Sequence, residues 1–253
     1  MARNQISILL NTDLKTHKLH YYKKFDSIPY SYIEQIVSIK CSGTDITHIP
    51  FFPNLVDLEC VKCSIKSIPS YPKLENLICS YNFIKQLPKL PKIKTIDCRH
   101  NIITVMPDYP NLEYLICSNN LICELPNLPK AILIDCSHNY IDYLPYYPKI
   151  ETLVCSFNEI IYFDDEYDIT NNEKLVQLEC INNKLINIPF FPNLEKLQCY
   201  NNLLIELRYY TKLTSLVCFN NKITKLPKYT NLTDQFFKVL ELLSPLHLSY
   251  REV

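Results

Sequence analysis

Cys60-Val61-Lys62-Cys63 sets two cysteines at the spacing of a zinc-ligand pair or a redox dithiol. Asp97 and Asp135 recur in IDCRHN and IDCSHN, each followed by a histidine, and two such carboxylates could act as acid and base in a hydrolysis. Both ideas depend on what brings the groups together. A second CxxC, which would complete a four-ligand zinc site, is absent from the sequence. So are HExxH, GxSxG and any glycine-rich phosphate loop, and Gly43 is the only glycine in 253 residues.

The cysteines themselves reveal what positions them. Cys41, Cys60, Cys79, Cys98, Cys117, Cys136, Cys155, Cys180, Cys199 and Cys218 follow one another at 19 residues, with one step of 25 between Cys155 and Cys180. A fixed period of this length marks a tandem array. Aligned on the cysteines, the chain reads L-x-x-L-x-C-x-x-N-x-I-x-x-L-P-x-x-P-x ten times between Ile36 and about Asn231. Prolines give the same register independently, one column running from Pro50 through Pro69 to Pro227 and a second from Pro53 through Pro72 to Pro192. Three segments follow: an N-terminal cap over 1–35 with a degenerate Ser27-Ile28-Pro29, ten repeats over 36–231 with six extra residues in the seventh, and a C-terminal cap over 232–253. In that last segment Phe236, Val239, Leu240 and Leu243 fall on one helical face.

Each column of the repeat has a physical reason. Alternation in Leu115-Ile116-Cys117 predicts a short strand with two side chains inward, and successive coils pair such strands about 4.8 Å apart into a parallel sheet. Asn82, Asn101, Asn120, Asn139, Asn158, Asn183, Asn202 and Asn221 stand where the strand turns, and an amide there can bond the backbone groups that the turn leaves free. Thr44 and Cys63 replace it in the first two units. Two prolines per unit forbid a helix on the return side and leave it extended. The aromatic and leucine column of that side, Phe52, Tyr71, Leu90, Tyr109 and Leu128 onward, predicts a stacked spine.

This pattern resembles the leucine-rich repeat family, whose L-x-x-L-x-L-x-x-N/C-x-L core is matched over about four fifths of the chain with cysteine for the third leucine. The L-P-x-x-P half is similar to the short repeats of the bacterial effector YopM and IpaH group. With its Asn, Ile and Tyr bias the sequence also resembles leucine-rich repeat proteins of mimivirus-type giant viruses. The resemblance implies a leucine-rich repeat solenoid, a curved horseshoe with a parallel β-sheet on its concave face, an extended helix-poor convex face and a C-terminal helical cap. It also implies a protein partner bound on the concave sheet without catalysis. The enzymatic members of the bacterial group carry a separate ligase domain with a catalytic cysteine, and nothing in this sequence matches it.

Within that frame the chemistry recedes. Cys63 occupies the asparagine column, so the CxxC reads as two scaffold positions, and the expectation is buried neutral thiols with no metal and no cofactor. Ladder disulfides are disfavoured because in-register residues on parallel strands rarely present the required dihedral. Cys123, just past the inward Ile122, is the cysteine expected to be exposed. Asp97 and Asp135 would lie two coils apart, roughly 10 Å, near the upper limit for an inverting pair, and duplication of a repeat explains them more simply.

Outward strand residues are those that vary. Before each ladder cysteine stand Lys40, Glu59, Ile78, Asp97, Ile116, Asp135, Val154, Glu179, Gln198 and Val217, in which acidic and aliphatic residues alternate from the second unit to the seventh. After the cysteine, large residues gather toward the C-terminus in Ile181, Tyr200 and Phe219. From Glu59 onward these positions form the candidate partner-binding set, with Tyr200 and Phe219 as its anchors. The acidic insertion FDDEYDITNNEK, residues 163–174, is read as a loop.

Lys plus Arg and Asp plus Glu both total 26, which argues against nucleic acid or an anionic membrane as partner. The opening MARNQISILLNTDLK has only a short apolar run and no small-residue cleavage site, and no stretch of about 18 apolar residues occurs. The expectation is a soluble protein of a reducing compartment, the cytoplasm or the host cytoplasm if viral, with a monomer favoured. A structural or self-associating role is the second reading.

Overall fold

A computed structural model describes residues 33–167 and 172–232, together with 6–9, 20–21, 25 and 28. The C-terminal cap helix expected over 232–253 lies outside the described residues, as does most of the N-terminal cap. Backbone proximity divides the chain into two units, Met1–Tyr140 and Ile141–Val253.

In the first unit every repeat places a short strand, five residues in the first and three in the others, just before its ladder cysteine, because Leu-x-Cys alternation gives one face to the interior. The strands β3 (Ile36–Lys40), β4 (Asp57–Glu59), β5 (Asn76–Ile78), β6 (Thr95–Asp97), β7 (Tyr114–Ile116) and β8 (Leu133–Asp135) pair in parallel with their neighbours in sequence. Their register steps by one repeat, as in Ile78↔Asp97 and Asp97↔Ile116. Ahead of them, β1 (Ile6–Leu9) pairs in parallel with both β3 and β2 (His20–Tyr21). These two strands precede the first repeat and extend the same sheet past it.

The second unit repeats the plan with β10 (Thr152–Val154), β12 (Gln177–Glu179), β13 (Lys196–Gln198) and β14 (Ser215–Val217). Thr152 pairs with Gln177, so the insertion is accommodated without a slip in the sheet. On its return side β9 (Tyr143–Leu144) and β11 (Tyr162–Phe163) form a separate parallel pair.

Both interiors are thin. The leucine, cysteine and isoleucine columns are fully buried, as at Leu115, Cys117 and Ile122, and each such side chain contributes about 1.5–3 kcal/mol by leaving water. Opposite the cysteines lie the spine residues, and the hydroxyl of a spine tyrosine bonds the carbonyl of the preceding coil. Tyr71 donates to Pro50 at 2.8 Å and Tyr109 to Pro88 at 3.1 Å; in the second unit Tyr210 donates to Pro189 at 3.0 Å. The large phenol rings face the small thiols: Tyr109 has Cys98 and Cys79 close by, and burial holds its hydroxyl protonated. A cysteine in place of the family's leucine leaves room for the ring.

The asparagine column does what its position demands. Asn120 Nδ2 donates to the carbonyls of Cys98 at 3.1 Å, Cys117 at 3.0 Å and Ser118 at 3.3 Å, while its Oδ1 accepts the Ile103 N–H at 2.9 Å. One amide thus satisfies four backbone groups on two coils. Substitutes keep part of this pattern: Thr44 Oγ1 donates to the Cys41 carbonyl at 2.7 Å, and the Cys63 thiol to that same carbonyl at 3.2 Å.

The insertion differs from the expected acidic loop. Tyr167 is fully buried, donates its hydroxyl to the Pro145 carbonyl at 3.0 Å and accepts the Tyr147 N–H at 3.2 Å, while its ring packs edge-on against Phe163 and Phe191. Asn172 is buried too and donates to the Tyr147 carbonyl at 3.0 Å. The inserted segment therefore supplies a spine residue that the missing prolines had hidden, and among its described residues Asp165, Glu166, Glu173 and Lys174 are exposed.

Candidate functional site

The strand residue before each ladder cysteine projects away from the interior, and the column is half-buried wherever it is not fully exposed. In the first unit it runs Lys40, Glu59, Ile78, Asp97, Ile116, Asp135, and in the second Val154, Glu179, Gln198, Val217. Adjacent members are register partners, so each acid stands one strand spacing from an aliphatic neighbour, as Asp97 does from Ile78 and Ile116.

The acids are held by near neighbours. Arg99 grips Asp97 in a two-pronged pair, Nε to Oδ1 at 3.0 Å and Nη2 to Oδ2 at 2.7 Å. Asp135 accepts the Ser137 hydroxyl at 2.6 Å and its N–H at 3.0 Å. Glu59 pairs with Lys40 at 3.2 Å, and Glu179 accepts Gln177 Nε2 at 2.7 Å. Asp97 thus spends both oxygens, and Asp135 its Oδ1, on residues two positions along. Among the described residues no group of three or more His, Cys, Asp or Glu side chains could hold a metal ion.

Of the three large residues after the cysteine, two are brought together and one is withdrawn. The Tyr200 and Phe219 rings stack at 4.4 Å with 12° between their planes, both half-buried on the sheet face. Ile181, expected beside them as an exposed contact, is only 7% exposed. Ser80, Ser118 and Ser156 of the same column are buried as well, whereas Ser42, Val61, Arg99, Ser137, Tyr200 and Phe219 are half-buried.

None of the twelve cysteines forms a disulfide, and Cys123 alone is exposed. Burial pushes the ladder thiols above their ordinary 9.0, Cys98 and Cys136 strongly and Cys218 to about 12. Protonated, buried thiols are poor nucleophiles and poor metal ligands. They are scaffold.

One feature of the face had a single signal in the sequence. Two residues after every ladder cysteine the backbone enters the left-handed region: Gly43 at φ 70°, then Lys62, Tyr81, His100, Asn119, His138, Phe157, Asn182, Asn201 and Asn220 between 51° and 58°. Gly43 was the hint, as the residue that adopts this conformation without strain. The side chains thrown outward there form ladders. Lys62 Nζ lies 5.4 Å over the Tyr81 ring, and Tyr81 stacks on His100 at 4.2 Å. In the second unit Asn220 Nδ2 donates to Asn201 Oδ1 at 2.7 Å, and Asn201 Nδ2 to Asn182 Oδ1 at 2.5 Å.

Short parallel strands stacked at one repeat per coil, an asparagine ladder and an extended return side make this a leucine-rich repeat protein. Compared with solved structures, the chain is similar to YopM from Yersinia enterocolitica WA-314, with 29% identity and a TM-score of 0.73, covering 79% of this chain and 46% of that one. It is similar also to YopM from Yersinia pestis, described as a leucine-rich effector protein, with 28% identity and a TM-score of 0.66 over 74% of this chain and 55% of that one. It thus spans about half the length of the YopM structures it matches. InlJ from Listeria monocytogenes, whose functional domain includes a cysteine ladder, shares the fold at 20% identity, with a TM-score of 0.60 over 79% of this chain and 52% of that one. No protein-family model matches the sequence, and no curated protein matches it.

Proposed function

We propose that this chain is a protein-interaction module that binds a partner on its outward sheet face and performs no chemistry there. The observation that carries the reading is the contrast between columns. Every inward position is filled by the same few residue types, whereas the outward strand positions carry acids, amides, aliphatics and aromatics on that constant frame. A rigid sheet with interleaved carboxylates and aliphatic side chains suits a protein surface with basic and apolar groups, and the Tyr200–Phe219 stack is its natural anchor. Similarity to YopM, a leucine-rich effector protein, supports an effector-like role directed at a host protein. Twelve cysteines without a disulfide among them support a reducing compartment as its place of action.

Affinity capture with the full chain and with a Tyr200→Ser/Phe219→Ser variant tests this. Loss of a captured protein from the variant, with its melting temperature within about 2 °C of the parent, is the expected result. An unchanged set of captured proteins removes the aromatic anchor, and a concentration-dependent oligomer in light scattering would point instead to self-association.

A further inference from the structure

One edge of the first unit carries a surface distinct from the sheet face. After each asparagine the chain leaves the sheet in an extended stretch whose outward residues alternate with buried ones. In four successive coils the residue after the asparagine is apolar: Phe83, Ile102, Leu121 and Tyr140. The main chain holds them in register, since Phe83, Ile102, Leu121 and Tyr140 each donate their N–H to the preceding coil, at Ile65, Ile84, Ile103 and Ile122. Phe83 is 55%, Leu121 40% and Tyr140 57% exposed, with Ile102 half-buried between them. Four apolar side chains in an exposed row are more than a scattering of surface leucines.

What flanks the row gives its partner a sign. On the sheet side runs the left-handed column Lys62, Tyr81, His100, Asn119 and His138, and on the return side the column Lys66, Lys85, Thr104 and Cys123. The sheet-side column carries no carboxylate through His138, and the return-side column carries none before Asp142. Lys66 and Lys85 are exposed and make no ion pair among the described residues. The acids on this edge are Asp45, at the head of the row, and at its far end Glu124, next to Cys123, and Asp142, two residues past Tyr140.

Spacing selects the secondary structure of the partner. Successive members of the row lie about 4.8 Å apart along the stack. A helix laid along it advances about 5.4 Å per turn and can offer one apolar residue per coil over three or four coils. A strand offers a same-face residue only every 6.6–6.8 Å or so and falls out of step by the third coil.

We propose that this edge of the first unit is a docking surface for an amphipathic helix of a protein partner. Its apolar stripe lies along Phe83, Ile102, Leu121 and Tyr140, and acidic residues flanking the stripe face Lys62, Lys66 and Lys85. The surface shares no residue with the sheet-face set, so the two readings stand or fall separately.

Cys123 provides the reporter, being the one exposed cysteine and next but one to Leu121. The full chain, labelled there with an environment-sensitive dye, is titrated with three synthetic helical peptides of about 18 residues, roughly five turns. They share one leucine stripe flanked by Glu, by Gln or by Lys. The expected order of affinity is Glu, then Gln, then Lys, with roughly tenfold between the first and the last. Phe83→Ser/Leu121→Ser should weaken the Glu peptide by about tenfold or more, and Lys66→Glu/Lys85→Glu should reverse the order. Calorimetry on unlabelled protein repeats the measurement without the dye. Tyr200→Ser/Phe219→Ser should leave every peptide affinity unchanged. No saturable binding of the Glu peptide, an order unaltered by Lys66→Glu/Lys85→Glu, a dye response to phosphatidylserine vesicles but to no peptide, or occlusion of the dye by a second copy would each overturn the proposal.

Discussion

Asn120 and Cys98 are joined across consecutive coils by a hydrogen bond of 3.1 Å from the amide nitrogen to the cysteine carbonyl. The same asparagine accepts the Ile103 N–H of that earlier coil, so one side chain ties two turns of the array at two points. Asn120→Ala strands buried backbone donors and acceptors that water cannot reach, at about 1–3 kcal/mol for each group left unmade. Asn120→Cys should cost less, because Cys63 already serves the Cys41 carbonyl from the equivalent position. Urea unfolding of the two variants side by side checks the order, and equal losses would remove the special role given to the column.

The thiol ladder is a volume device as well as an apolar one. Replacing Cys98 by the leucine that the family carries there forces methyl groups toward the Tyr109 ring, and overpacking of this kind costs about 1–3 kcal/mol. Pairing Cys98→Leu with Tyr109→Leu should recover part of the loss. A melting temperature raised by Cys98→Leu alone would show that the interior has unfilled space, and the complementarity argument would fail.

Stability should fall on the alkaline side. In the fold the ladder thiols are held protonated by burial, Cys218 up to about 12, against an ordinary value of 9.0. Between those limits the unfolded chain gives up thiol protons that the folded chain keeps. The unfolded state then binds fewer protons, and the free energy of unfolding decreases as pH rises. The contribution of the ladder thiols is full below about pH 9 and declines above it. Urea midpoints at pH 7.5 and 10.5 test this, and an unchanged midpoint would mean that the thiols are not sealed.

Accessible thiol chemistry should be confined to one position. Iodoacetamide applied to the native chain should add one adduct, at Cys123, whereas in denaturant all twelve cysteines should react. Peptide mapping identifies the site. Fast native labelling at Cys60 or Cys63 would revive the CxxC as a reactive pair.

Much of the scaffold could be read in advance because a solenoid is local: each coil meets the next one repeat along, so the inward columns appear in the sequence as a period. Leu115, Cys117, Asn120 and the paired prolines all belong to that class. A period says less about what happens where a strand ends. It placed Ile181 among the exposed residues, although the fold buries it. Tyr167 was hidden for a different reason, since the insertion that carries it has lost the prolines that mark its column. The Asp97–Arg99 pair and the Tyr200–Phe219 stack depend on side-chain directions that spacing alone does not specify. Which outward residues contact a partner is set by that partner's surface, and it leaves no periodic mark.

The left-handed turn after each strand accepts glycine, lysine, tyrosine, histidine, asparagine and phenylalanine at nearly one φ. For a non-glycine residue that dihedral costs about 1–2 kcal/mol, a strain which each coil bears alone and which its neighbours' ladder bonds hold in place. Sequence drift at this position therefore leaves the interior untouched while redrawing the exterior, one coil at a time. The array is in this sense evolvable: its edge can change specificity through single substitutions, none of which asks the fold to adapt.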